Sequence, residues 1–212
     1  MHYVIKKLQH ASKASSHLLE HFDYQRTYTL TSHILMFLFF SFVGWVWEII
    51  FYTITEGNSF NRGVLHGPWL PVYGVGATLS ILIYHVFKKS PLTTLLAIMA
   101  MATIVEYATA IYLENHYGMR WWDYSHLTFQ LQGRICLRGI FFFGVMGSAC
   151  IYIFGPFLDN RINQLSRNSQ KLIVATLVGI FLADVIYSLQ YPNAGGGITY
   201  HVHSMIENII HI

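Results

Sequence analysis

The sequence predicts an all-α integral membrane helix bundle of about five transmembrane helices: two repeated helical hairpins plus one extra helix, with the N-terminus inside. Three observations carry this. The 212 residues are 54% hydrophobic and only 11% charged, with a mean hydropathy of +0.42, far from a soluble average. The apolar residues come in long blocks, as lipid rather than water requires. Lys and Arg are divided unequally between alternate loops.

Residues 1–31 read as a cytoplasmic N-terminal segment. Val4, Leu8, Ala11, Ser15, Leu18 and Phe22 recur at helical spacing. Such a stripe either lies on the inner membrane surface or packs against the bundle or a partner. Glu20 and Asp23 make this segment too polar for a cleaved secretory signal.

The transmembrane bundle is expected over residues 32–191, with spans near Ser32–Thr55, Trp69–Phe87, Leu92–Leu113, Gly139–Leu158 and Leu172–Tyr191. Pro68, Pro71, Gly74 and Gly76 crowd the start of the second. Proline is tolerated in a first helical turn, and glycine permits close helix contact. The tail, residues 192–212, is expected outside, after a joint at Gly195–Gly197. With the N-terminus inside, nine Lys and Arg fall on the inner side, and only Arg62, Arg120, Arg134 and Arg138 on the outer. All five tryptophans then lie in the outer half or outer loops.

A two-helix unit is repeated, over about 32–90 and 92–160. Arg62-Gly63-Val64-Leu65-His66-Gly67 precedes the second span and Arg134-Ile135-Cys136-Leu137-Arg138-Gly139 the fourth, both reading R-x-x-L-x-G. A small-residue stretch follows each, and a span with an embedded glutamate precedes each, Glu48 in one copy and Glu106 in the other. Two-span copies share one orientation, related by an axis along the membrane normal. The fifth helix, 172–191, stands outside the repeat.

Glu48, Glu106 and Asp184 lie inside apolar spans. An intramembrane carboxylate is costly unless paired, protonated or hydrated, and marks a substrate or proton site by default. By helical rise all three lie roughly 10–12 Å below the outer helix ends, which suggests one outward-opening polar cavity with Arg62, Arg134 and Arg138 in reach. The alternative is that the glutamates pair with arginines merely to hold the bundle together. His66, Trp121, Trp122, Asp123 and Tyr124 join the candidates from the outer loops, as a headgroup or ring site or else as an interfacial belt. Asp123 with Ser125 and His126 lacks a nucleophile motif, so no catalytic residue is assigned. His201-Val202-His203 does not complete a metal site, and no metal or cofactor is expected. Cys136 and Cys150, if on one helix, stand ~21 Å apart, beyond disulfide reach. No basic stripe for nucleic acid and no Walker A motif occurs in these residues.

The same residues carry a resemblance. Gly44-Trp45-Val46-Trp47-Glu48, the run Asn61–Gly74 reading NRGVLHGPWLPVYG, Val105-Glu106-Tyr107, Arg120-Trp121-Trp122-Asp123-Tyr124-Ser125 and Gly133-Arg134-Ile135-Cys136-Leu137 stand in one order over roughly residues 35–160. In this the chain resembles the bacterial ABC-transporter permease family of CmpB type. The resemblance implies a multi-pass protein of the bacterial cytoplasmic membrane whose shared residues include Glu48, Arg62, Glu106, Asp123 and Arg134.

The function expected is that of a permease-like transporter binding a small polar or anionic substrate at an outward-facing Glu/Arg/Trp cluster. Membrane lipid is one expected partner, and a separate ATPase or a second copy of the chain is another, because five spans are few for a full pathway. Of the inner loops, only Asp159–Lys171 is long enough to couple to an ATPase. Two alternatives stand beside this: a membrane-embedded enzyme acting on lipid-linked substrates at the outer leaflet, and a non-catalytic accessory or sensor subunit.

Overall fold

The computed structural model describes residues 26–57, 59–87, 90–194 and 200–201. The N-terminal helical stripe, the Lys88-Lys89 link, the triple-glycine joint and Val202-His203 lie outside the described residues.

The chain forms an α-helical bundle. Helix α1 spans Leu30–Glu56, capped at its start by Thr29, whose hydroxyl accepts from the Ser32 amide, and closed by Gly57 at φ 73°. Helix α2 spans Pro71–Phe87 and α3 spans Pro91–Tyr117, the latter opened by a Ser90/Thr93 capping box. Helix α4 (Leu137–Ala149) runs through a π-helical turn, Cys150–Phe154, into α5 (Gly155–Asn163), so the three make one apolar span. Pro156 has no amide to donate, and the wide turn just before it absorbs the broken ladder. Helix α6 spans Arg167–Gln190 behind its Ser166 cap.

Four of these spans are long and apolar enough to cross a membrane: α1, α3, α4 with α5, and α6. At 17 residues, α2 is the short one. The expectation of a full second span from Trp69 is therefore corrected, and the reason lies just upstream. Residues 61–70 do not lie over the membrane surface but descend non-helically beside α1. The Trp45 indole donates to Asn61 at 2.5 Å. Lower down, the Leu70 amide donates to the Ser41 carbonyl at 2.9 Å. Ser41 lies fifteen residues below the end of α1, about 22 Å by helical rise. The chain thus reaches mid-bundle before α2 begins.

The two hairpins, α1–α2 and α3 with α4–α5, pack together through α2 against α3 and α4. Met36, Phe40, Ile81, Ile98 and Ile151 fill the core between them. Helix α6 lies at the edge, where Leu177, Val178, Phe181 and Val185 cover Leu38, Leu65 and Trp69. At the end of the bundle where α1 begins, buried Asp159 accepts from Ser32 at 2.6 Å and Asn163 at 2.9 Å and pairs with Arg26 at 3.4 Å, tying α5 to the start of α1. The charged stretch 159–171, expected as a loop, is helical up to Asn163 and again from Arg167. Its charges ride on helix ends, leaving only three linking residues.

On the opposite side, residues 118–136 fold over the bundle. Strand β1 (Met119–Arg120) pairs antiparallel with β4 (Tyr200–His201), and β2 (Gln130–Leu131) pairs with β3 (Ile135–Cys136).

The small-residue stretches divide into two kinds. A side chain at Gly74 would strike Ser41 and sit 2.5 Å from the Phe37 carbonyl oxygen, backbone that cannot step aside. At Gly76 an added Cβ would meet nothing within 4 Å. Gly74→Val should therefore lower stability by about 1–3 kcal/mol through overpacking. Gly76→Ala should raise it by roughly 0.5–1 kcal/mol through helix propensity. Thermal unfolding of both variants in detergent micelles reads the two signs.

Candidate functional site

Two of the three intramembrane acids come together. Glu48 on α1 accepts a hydrogen bond from the Tyr73 hydroxyl of α2. Its other oxygen stands 3.9 Å from Arg62 Nε, at the limit of ion pairing. Arg62 is buried; it donates to the Trp121 carbonyl at 3.0 Å and lies 3.7 Å over the Tyr52 ring. The descending segment delivers this arginine into the bundle, and Gly63 behind it takes φ 91°, where a side chain would also strike Leu70.

Glu106 on α3 is only 5% exposed. One oxygen accepts from the Tyr124 hydroxyl at 3.1 Å, and the other, Oε2, has no hydrogen-bond partner. Glu48 and Glu106 are close enough to act on each other's charge. Burial, and after it the Glu106 carboxylate, holds the Tyr124 phenol well above the usual tyrosine range. It remains a donor at any physiological pH. The deeper cluster so consists of two carboxylates, two tyrosine hydroxyls and one arginine.

Arg134 does not reach Glu106. It grips Glu114, at the end of α3, at 2.5 Å through Nη2 and 3.1 Å through Nε. Arg120 pairs with the same carboxylate and stands 3.5 Å from Asp123. Gln132 ties the group together, bonded to Arg134 and accepting from Tyr107 at 2.8 Å, while Trp122 donates to the Arg134 carbonyl at 2.9 Å. Two arginines and two acids make this second lattice electrically closed. Glu114 was missed in the sequence, although it lies two helical turns beyond Glu106 and so on the same face. Tyr73 and Arg120 were missed as well, and both stand inside the quoted motifs.

The remaining candidates do other work. Asp184 on α6 accepts from the His66 amide at 3.2 Å, the Gly67 amide at 3.0 Å and Ser188 at 3.1 Å. It caps the descending backbone and is not bonded to either glutamate, so the expectation that all three acids share one cavity gives way to a cluster of two. One carboxylate satisfies both backbone amides with charge-assisted bonds. The His66 ring is within 2.8 Å of the Tyr191 carbonyl oxygen. Trp121 donates to the Asn193 carbonyl at 3.3 Å. Arg138 is exposed in the first turn of α4. Ser125 donates to Asp123 at 2.6 Å, an Asx-type turn rather than an activated nucleophile. Both cysteines are buried and free, and burial pushes the Cys136 thiol up, away from reactivity.

Below Glu106 a cavity of about 480 Å³ runs between α1, α2, α3 and the α4–α5 span. Glu106 and Tyr73 are at its polar end, and its walls are otherwise almost wholly apolar.

Asp184→Ala should strip the acceptor from two backbone amides, one of them part-buried, at about 1.5 kcal/mol for each charge-assisted bond lost. The expected outcome is a lower melting temperature together with cysteine labelling or proteolysis within residues 61–70. Glu114→Ala, which leaves Asp123 as the one carboxylate against two arginines, should instead expose the 118–136 segment. Limited proteolysis with mass spectrometry separates the two patterns.

Neither a curated protein nor a solved structure matches the chain. A protein family does, over residues 35–189, described as Putative ABC-transporter type IV. That match takes in all five bundle segments in whole or in part and both carboxylates of the deeper cluster. The chain is accordingly a multi-pass membrane protein of the Putative ABC-transporter type IV family.

Proposed function

We propose that this protein is the membrane-embedded subunit of a transporter and that it holds the polar end of its substrate between Glu48 and Glu106. Glu106 carries the reading: a carboxylate buried within a membrane span with one oxygen unpartnered. Such a group is too costly to keep for packing alone when an apolar residue would fill the space. Arg62 offsets one negative charge and leaves the other. Because Arg62, Arg120 and Arg134 each face a carboxylate, this reading favours a cationic or hydrogen-bond-donating substrate over the anion expected from the arginines in sequence.

Energy would come from a separate ATPase at the inner helix ends, where exposed Arg161, Arg167 and Lys171 offer a basic surface. The membrane is read as the bacterial cytoplasmic one, with the N-terminus inside, and a second copy of the chain would widen the pathway.

Purified in mild detergent from its native membrane, the tagged protein should bring down an ATPase in stoichiometric amount. Charge reversal of Arg161, Arg167 and Lys171 together should release it; recovery of the chain without an ATPase overturns that arm. In a deletion strain, Glu48→Gln and Glu106→Gln should reach wild-type membrane levels yet fail to restore transport. Equal loss of folded protein in both would make the cluster structural instead.

A further inference from the structure

Four helices surround the cavity below Glu106, yet it is not sealed. Its back wall is made of small residues, Gly76, Ala77 and Ser80 on α2 and Ala102 on α3. Phe39 and Val43 on α1 and Met146 and Phe157 on the α4–α5 span line it and are also exposed on the bundle surface. On a membrane span such residues face hydrocarbon, so the mouth opens sideways into the bilayer. Trp47 stacks on Phe142 at 5.7 Å near one end of the groove, and Phe40 meets Phe154 edge-on at 6.4 Å near the other. Between these aromatic contacts the groove is continuous.

The buried side-chain oxygens along it are already bonded, with one exception. Ser80 Oγ donates to the Gly76 carbonyl at 2.7 Å and Tyr73 to Glu48. Among the described lining residues, only Glu106 Oε2 is a buried side-chain oxygen with no partner. A water there would find too few partners among apolar walls, since a buried water needs two to four. At about 480 Å³ the space falls in the range of small-ligand sites, roughly 300–1,000 Å³. Its volume and its apolar lining with Glu106 suit a long hydrocarbon chain with a polar group at one end.

We infer that the groove takes a single-chain amphiphile from the bilayer, its hydrocarbon lying between α1 and the α4–α5 span and its amine or hydroxyl end meeting Glu106 Oε2. This rests on the reading of Glu106 as the substrate's polar anchor and adds the class of substrate: a membrane-partitioned, cationic or hydroxyl-bearing chain. An anionic end is disfavoured because it would meet two carboxylates. Loading is lateral and needs no water-filled passage from the outer surface.

The test uses the full chain in phosphatidylcholine/phosphatidylglycerol nanodiscs with a hexadecylamine carrying a diazirine near its chain end. Photolabelling should concentrate on the α1 and α4–α5 faces of the groove. Excess hexadecylamine or hexadecanol should compete, and palmitate should not. Gly76→Leu places a side chain in open space, so the variant should fold as well as wild type while losing groove labelling and transport. Glu106→Gln should weaken amine labelling by about tenfold, the worth of one charge-assisted hydrogen bond, and alcohol labelling much less.

Labelling spread evenly over the lipid-facing residues of α6, or left unchanged by Gly76→Leu, overturns the inference. If transport survives Gly76→Leu but not Glu106→Gln, the groove is not the substrate's seat and the carboxylate reading stands without it. If Glu106→Gln transports normally, the carboxylate reading itself falls. Misfolding is read directly: Gly76→Leu should keep the wild-type melting temperature in detergent, and a lowered one would ascribe the loss of labelling to the fold and overturn the inference.

Discussion

Hydrogen bonding of bare backbone inside a membrane is the constraint on which the rest of this structure depends. Lipid offers no partners, so non-helical backbone survives at depth only where protein groups answer it. Residues 61–70 meet that condition from three sides. Asp184 takes the His66 and Gly67 amides, and the Ser41 carbonyl takes the Leu70 amide. Asn193 donates to the Asn61 and Gly63 carbonyls at 3.1 Å each and accepts nothing in return from them. Asn61 in turn donates to the His66 carbonyl at 2.7 Å. Because the segment occupies the flank of α1, α2 must start late and stay short. It also brings Arg62 to Glu48 and to the Trp121 carbonyl, which a loop lying on the membrane surface would not do.

The charges divide into a closed layer and an open one. Glu114, Asp123, Arg120 and Arg134 balance, and their bonds cross from α3 to the 118–136 segment. That lattice holds the 118–136 segment onto the bundle and has no free sign to offer a ligand. One layer deeper, two carboxylates share one arginine. Arg62 is only loosely paired, and its guanidinium rests on aromatic faces, where a cation is stabilised by the ring quadrupole without neutralising a carboxylate. The deeper layer is the place where an incoming cation or donor gains most.

Much of this was legible in sequence and some was not, for definable reasons. Long apolar blocks and the embedded Glu48 and Glu106 announce the bundle and the acids that meet in it, because the cost of a charge in lipid makes each such residue conspicuous. The depth of a loop leaves no such mark. Asn61–Leu70 has the glycines and prolines of a surface turn, and only the positions of Asp184 and Ser41 in space reveal that it descends. Ion-pair partners are equally invisible: Arg134 follows the repeat pattern of Arg62, yet it pairs with Glu114 rather than with Glu106. Asp184 shares a nominal depth with the two glutamates but sits on α6 at the edge of the bundle, and helical rise says nothing about azimuth. The groove is harder still to foresee, since glycine in α4 closes a contact (Gly147 against Ile98 and Ser80) while glycine in α2 (Gly76) leaves a space.

A laterally open groove has a consequence for selectivity. An empty apolar void of about 480 Å³ would forfeit on the order of 10 kcal/mol at the cost per volume known for buried cavities, so bilayer hydrocarbon fills it whenever nothing else does. A ligand's tail therefore exchanges one hydrocarbon chain for another, and lipid tails pack about as well as apolar side chains. The exchange is nearly neutral and cannot discriminate among amphiphiles of similar length. Discrimination has to come from the one place where lipid cannot substitute, the unpartnered oxygen of Glu106, with Glu48 repelling anions beside it. On this argument the helices around Gly76 set how much chain is admitted, and the carboxylates alone set which head is held.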